Sequence, residues 1–166
     1  ILGRVPVPAA ARSTASLREL PFHADDMLFT SENVDEPTRE ALFRTGTAPM
    51  SRGELRQFAD SLAAGEFISA DGTRSYATSL RALQVPLLVV AGRGDHIAPA
   101  DRVWPWMTHA GSSDKRWEVL GRANGYSHDY GHLDMTMGIE APNEVFPLII
   151  DFLNEHQKTA GSQAGT

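Results

Sequence analysis

Residues 85–92 read VPLLVVAG, a short and continuous apolar run that Pro86 opens and Gly92 closes. A run of this length, rich in β-branched side chains, is typical of a strand buried on both faces of a parallel sheet. Residues 116–121 (RWEVLG) indicate a second strand, and a helix is expected between the two at about 100–110. Because strand, helix and strand alternate, the sequence predicts an α/β fold with parallel strands and helices on the faces of the sheet.

A last helix is expected to begin at Pro142, with its apolar residues in one stripe: Val145, Phe146, Ile149, Ile150 and Leu153. Two strands are too few for a stable open sheet, and the first strand is apolar on both faces and needs neighbours. We therefore expect the chain to be the C-terminal part of a larger sheet whose other strands precede Ile1.

Four parts are predicted along the chain: a connector at 1–16, a helical cap or lid segment at 17–80, the C-terminal part of the sheet at 81–157, and a disordered tail at 158–166. Three short helices are expected in the cap: one from about 36 to just before Gly46, one from the capping box of Ser51 and Glu54 to Ala64, and one over 75–83. No part of residues 17–80 has the pattern of a strand.

The composition of the chain excludes some classes of binding partner and of bound group. The 166 residues carry a net charge of −6, which argues against a nucleic-acid partner because such proteins carry basic patches. The chain has no cysteine, so disulfides and thiolate ligands within it are excluded. No apolar run is long enough to span a membrane. These properties suit a cytoplasmic protein.

Titratable side chains follow both predicted strands. Asp95 comes directly after the first strand, and His132 lies in the Gly- and Tyr-rich segment after the second. In open parallel sheets, ligands bind at the carboxyl ends of the strands, so these two side chains should meet there. A carboxylate beside an imidazole fixes its tautomer and stabilises its charged form, which is the arrangement of a general base.

Three motifs resemble a known family. VPLLVVAGRGDHIAP (85–99) resembles the strand and acid loop of the α/β-hydrolases. YGHLDM (130–135), followed by APNEVFPLII (141–150), is similar to the histidine loop and final helix of acid-lipase-like hydrolases. The pattern G-x-x-D-H-I-x-P is also similar to the polyhydroxyalkanoate-synthase branch. The resemblance covers residues 80–157 and extends to the cap segment only in its helical character.

The resemblance implies a serine hydrolase of carboxylic esters that works through an acyl-enzyme, with Asp95 as triad acid and His132 as general base. The nucleophile motif G-x-S-x-G does not occur in the sequence. The serine is therefore expected upstream of Ile1, in the missing N-terminal half of the same fold, and this chain alone should be inactive. The implied substrate is a small apolar ester, with no cofactor and no metal.

Three alternatives stay open. The protein could be a non-catalytic binding protein of this fold. It could be an acyltransferase or polyester synthase with a cysteine nucleophile, or an epoxide or haloalkane hydrolase with an aspartate nucleophile. The residue at the centre of the nucleophile motif would distinguish them.

Several other titratable and apolar residues lie in or near the predicted site, and each has a simpler structural role as an alternative. His96 is expected to shape the acid loop, and His128 with His132 has the spacing of a helical zinc site but lies in a loop. Asp129 and Asp134 are candidates for a substitute acid, and Asp134 also for a partner behind the histidine. Trp104, Trp106 and Met107 are expected to pack in the core or on a helix face, with a substrate wall as the lesser alternative. In the cap, a group of apolar residues is expected both to pack on the sheet and to line an acyl or alkyl pocket: Phe22, Met27, Leu28, Phe29 and Phe43.

Overall fold

The computed structural model describes residues 4–5, 25–46 and 48–163. Its strands are Arg4–Val5 (β1), Met50–Ser51 (β2), Leu87–Gly92 (β3) and Lys115–Leu120 (β4). Its α-helices are Glu36–Thr45 (α1), Arg52–Ala64 (α2), Tyr76–Ser79 (α3), Ala100–His109 (α4), Asp134–Met137 (α5) and Ala141–Gln163 (α6). Short 3-10 turns lie at Ser31–Asn33, Leu80–Ala82 and Arg122–Asn124.

The centre of the fold is the parallel pair of β3 and β4, joined through α4. The register runs from Leu87 opposite Lys115 to Gly92 opposite Leu120, so both strands end at the same edge. The predicted α/β arrangement of parallel strands with a connecting helix is confirmed at this level. β3 begins two residues later than predicted, because Val85 and Pro86 precede the hydrogen-bonded ladder. β4 begins and ends one residue earlier than predicted.

The core that supports this edge lies between β4 and α6. Leu120, Tyr130, Ala141 and Val145 form a buried cluster, each no more than 1% exposed. Tyr130 is thus both a core residue and a near neighbour of His132 along the chain. The loop after β4 therefore contributes Tyr130 to the core, and this buried side chain restricts the position of the loop.

The last helix packs differently from its prediction. Val145 is buried, but the rest of the predicted stripe is between 37% and 54% exposed: Phe146, Ile149, Ile150 and Leu153. The buried side of α6 is instead Ala141, Val145 and Phe152. Because α6 carries apolar residues around most of its circumference, spacing alone does not select the side that faces the sheet.

The helix also runs further than expected. It continues to Gln163, so residues 158–163 extend α6 rather than forming the predicted disordered tail. Those six residues include no proline and only one glycine, so no strong stop signal ends the helix at 157. Residues 164–166 lie outside the described part of the chain.

Residues 25–83 are mainly helical, as predicted. The side chain of Asp35 accepts from the N–H of Thr38 and caps α1, and the capping box of Ser51 and Glu54 is present at the start of α2. The third predicted helix is split into α3 and the 3-10 turn that follows it.

The expectation of no strand in this region is wrong at β2. Met50–Ser51 pairs antiparallel with β1, which itself lies in the predicted connector. Two-residue strands are too short to give an alternating pattern, so the sequence carried no signal for them. The rest of the connector and the start of the predicted cap, up to residue 24, lie outside the described residues. Among those described, no helix has the length and apolar character needed to cross a membrane.

Candidate active site

The carboxylate of Asp95 is fixed by its own loop after β3. The backbone N–H groups of Ile97 and Ala98 donate to Oδ1 at 2.8 and 2.7 Å. The N–H of Asp95 donates to the carbonyl of Gly92 at 3.3 Å, and the side chain is only 1% exposed. Two N–H donors on one oxygen orient the carboxylate and leave Oδ2 for another partner.

The histidine loop, residues 121–133, is attached to the same edge of the sheet by backbone hydrogen bonds. The N–H of Gly94 donates to the carbonyl of Tyr130 at 2.9 Å, and the N–H of Tyr130 donates to that of Leu120 at 3.3 Å. The loops meet closely at Gly92, where a Cβ would lie 2.2 Å from the carbonyl oxygen of Tyr130. Only glycine fits this approach without separating the two loops.

The two loops bring Asp95 and His132 together. Nδ1 of His132 lies 2.9 Å from Oδ2 of Asp95, a separation of 37 positions in the sequence. The carboxylate is buried, whereas the imidazole side chain is 37% exposed. With Nδ1 donating to the carboxylate, Nε2 is left as the proton acceptor. This arrangement can remove a proton from a nucleophile and return it to a leaving group.

Glu144 of α6 fixes the histidine loop through hydrogen bonds to two of its residues. Its Oε1 accepts from the N–H and hydroxyl of Ser127 at 2.9 and 2.7 Å, and its Oε2 accepts from the hydroxyl of Tyr130 at 2.6 Å. Burial, and then the hydrogen bond to Glu144, raise the pKa of Tyr130 well above its ordinary value. Burial and a hydrogen bond to Glu118 likewise raise the pKa of Tyr126 to about 12. Both phenols therefore stay protonated and act as donors.

Asp134, two positions after His132 in the chain, is completely buried, as is Asn33. The side-chain amide of Asn33 donates to Oδ2 of Asp134 at 3.1 Å. Burial raises the pKa of Asp134, while hydrogen bonds from Asn33 and from backbone N–H groups, including that of Gly131, act in the opposite direction. The carboxylate of Asp134 is therefore bonded to Asn33, and Asp95 is the carboxylate that contacts the His132 ring.

The other candidate residues lie apart from this contact. His96 is exposed on the acid loop. The ring of His128 stands edge-on to that of Tyr130, with centroids 6.5 Å apart. The carboxylate of Asp129 accepts from the N–H of Arg122 at 3.0 Å. Within the described ranges, no group of three or more His, Cys, Asp or Glu side chains could hold a metal ion.

The apolar residues predicted to pack from α4 lie in the core or against other aromatic side chains. Met107 is 8% exposed, Trp104 stacks edge-on to Trp117 at 5.3 Å, and Trp106 packs on Phe67 at 5.6 Å. This last contact attaches the helical segment to α4.

The cap residues expected to border substrate behave differently from one another. Phe29 and Phe43 form a buried cluster with Val34, whereas Met27 is 52% exposed. Phe22 lies outside the described residues. A separate open cavity of about 280 Å³ lies in the helical segment, lined by Met50, Glu54, Gln57, Phe58, Ser61, Phe67, Ile68 and Tyr76. None of the cap residues proposed from the sequence lines it.

Sequence reasoning missed two residues of this region, Glu144 and Asn33. Each acts through a partner that is 14 or more positions away, 101 in the case of Asn33 and Asp134. A local motif cannot reveal such a partner. Comparison of the chain with protein-family models, curated protein sequences and solved structures finds no match.

Proposed function

We propose that the chain supplies the acid and the general base of a serine hydrolase that acts on carboxylic esters and has an α/β-hydrolase fold. The observation that carries the proposal is the contact of 2.9 Å between His132 and Asp95. A buried, doubly hydrogen-bonded carboxylate beside a half-exposed imidazole is the geometry that a base needs in nucleophilic catalysis. Its location, where two parallel strands end, is also where α/β enzymes bind their ligands.

The proposed reaction assigns one role to each group. A serine hydroxyl, supplied by polypeptide outside this sequence, attacks the ester carbonyl while Nε2 of His132 takes its proton. Asp95 holds the ring and stabilises the imidazolium. His132 then gives the proton to the departing alcohol, and an acyl-enzyme remains. Water attacks this acyl group with the same histidine as base, which releases the carboxylic acid and regenerates the serine.

The proposed substrate class is a small ester with an apolar acyl part. It rests on the resemblance of residues 130–135 to acid-lipase-like enzymes. The packing of Phe67 on Trp106 supports it, because this contact holds the apolar helical segment against the helix that follows the acid loop. Apolar walls with few polar groups are typical of sites for such ligands.

The test uses the protein translated from its complete reading frame and p-nitrophenyl butyrate as substrate. Asp95→Ala and His132→Ala should each lower kcat roughly 10³-fold or more, because the base loses its orientation or is absent. The matched controls Asp101→Ala and His109→Ala, both on exposed positions of α4, should keep the wild-type rate. A site variant with near wild-type turnover would contradict the proposal.

Covalent labelling separates the alternatives. A fluorophosphonate should label one serine in the wild-type protein and label it far more slowly in His132→Ala. Labelling of a cysteine by iodoacetamide, with loss of activity, would instead favour an acyltransferase or synthase. Absence of labelling and of ester turnover would favour a binding protein or an aspartate-nucleophile hydrolase, and turnover of an epoxide or a haloalkane would identify the latter.

A further inference from the structure

The histidine loop is fastened by a segment that lies about 100 residues earlier in the chain, residues 28–34, here called the anchor segment. The N–H of Leu133 donates to the carbonyl of Leu28 at 2.7 Å, directly after the histidine. The hydroxyl of Thr30 donates to the carbonyl of Asp129 at 2.5 Å, three positions before it. The anchor segment therefore bonds the backbone on both sides of His132.

A buried polar pair lies at the centre of this contact. Asn33 and Asp134 are both 0% exposed, and the amide of Asn33 donates to the carboxylate of Asp134. Asn33 also accepts two N–H groups that follow α5, from Ile139 to its carbonyl at 2.8 Å and from Glu140 to its Oδ1 at 3.3 Å. Buried polar groups are costly unless they are bonded, so each member of this pair fixes the other.

We propose that Asn33 and Asp134 are positioning residues, which hold the backbone of His132 so that its Nδ1 faces Asp95. The expected effect on catalysis rests on the proposed function, whereas the expected effect on the orientation of the His132 ring does not. The segment that precedes α1 then controls the orientation of the base. Removing the carboxylate of Asp134 removes its hydrogen bond with Asn33 and so loosens the anchor segment at its buried centre. The acid loop, with its own hydrogen bonds to Asp95, is left unchanged.

The first experiment requires no activity. Ring 15N shifts of the 166-residue chain at pH 8 report which nitrogen of His132 is protonated. Wild type should show Nδ1–H alone. Asp134→Ala should show both tautomers, because the ring is no longer held on Asp95. Asp134→Asn keeps an acceptor for Asn33 and should restore the wild-type shifts.

Two further variants keep the inference testable if Asp134→Ala does not fold. Thr30→Val removes only the hydroxyl bond to the loop and should give an intermediate mixture of tautomers. Ser31→Ala is the control, since this exposed hydroxyl donates only to Asp26, outside the histidine loop. Wild-type ring shifts in a folded Asp134→Ala, or in Thr30→Val if Asp134→Ala is unfolded, would overturn the inference whatever the activity of the protein.

The second experiment measures the kinetic effect in the complete protein, with active sites counted by fluorophosphonate titration. Asp134→Ala should lower kcat per titrated site about 10²-fold, because a small misplacement of a catalytic group has that effect, and should leave KM nearly unchanged. A purely structural role would reduce the number of titrated sites and leave kcat per site at the wild-type value. If the wild-type protein has no esterase activity but the ring shifts change as expected, the proposed function fails and the inference stands.

Discussion

At the scale of single residues, one carboxylate organises the loop that carries the base. Glu144 accepts three hydrogen bonds from Ser127 and Tyr130. Burial opposes its ionisation, but these hydrogen bonds outweigh burial and lower the pKa of Glu144 below its ordinary value of 4.5. Because the folded-state pKa is lowered, the stabilisation is present above pH 4.5 and is lost as the pH falls below it.

Glu144→Gln should therefore cost about 1 kcal/mol of unfolding free energy at pH 7, where charged hydrogen bonds are replaced by neutral ones. It should also reduce the loss of stability that wild type shows as the pH falls below 4.5, because the lowered pKa of Glu144 contributes to that loss. Urea unfolding at several pH values measures both effects. The control Asp101→Asn, on an exposed carboxylate, should follow the wild-type curve. A variant with the full wild-type acid sensitivity would contradict this role for Glu144.

At the scale of secondary-structure elements, α2 shows how local signals fix both ends of a helix. Ser51 and Glu54 bond each other's backbone N–H groups at the start. Gly65 ends the helix with φ of 69°, in the left-handed region, and has open space around the position of a Cβ. The end of α2 therefore depends on the backbone freedom of glycine and not on packing.

Gly65→Ala should lower the free energy of unfolding by about 1 kcal/mol, since only the left-handed backbone opposes the new methyl group. The matched variant Gly53→Ala lies inside the first turn of the same helix, where a Cβ would meet only the hydroxyl of Ser51 at 3.7 Å. It should stabilise the protein by about 0.5 kcal/mol. Urea unfolding compares the pair, and equal effects of the two substitutions would show that backbone conformation does not decide the end of α2.

At the scale of the whole molecule, much apolar surface has no partner. Among the described residues, β3 pairs with β4 alone, and its Leu87 to Val90 are only half-buried. Four apolar side chains of α6 also form an exposed stripe: Phe146, Ile149, Ile150 and Leu153. Exposed apolar patches and open strand edges are sites of association.

The 166-residue chain should therefore associate as its concentration rises. The double variant Ile150→Lys with Leu153→Glu changes two residues that are 53% and 54% exposed, so it should weaken association without unfolding the chain. The control Asn154→Lys with Gln157→Glu adds the same charges at exposed polar positions of α6. Light scattering after size-exclusion chromatography gives the masses. Equal association of both double variants would show that the apolar stripe is not involved.

The sequence predicted those parts of the fold that depend on neighbours in the chain. The run at 85–92, the capping box of α2 and the Asp35 cap all produce their structure locally. Asp95 and His132 were predicted to meet because parallel strands end at one edge, and their ends are set by local signals. The buried side of α6 could not be predicted, because apolar residues surround most of that helix. The partners of Asn33 and Glu144 depend on tertiary packing that no local pattern encodes.

The anchor segment also has a consequence for the order of folding. Its bonds to the histidine loop and to the residues that follow that loop, as far as Glu140, join residues 99 to 107 positions apart. The β3–β4 pairing joins residues only 28 apart. Closing a longer chain loop costs more entropy, so the parallel pair can form before the anchor docks. The acid loop with Asp95 would then have its native conformation before the anchor segment binds the backbone around His132. We therefore expect the acid–base contact to be among the last parts of the molecule to form and among the first to open on unfolding.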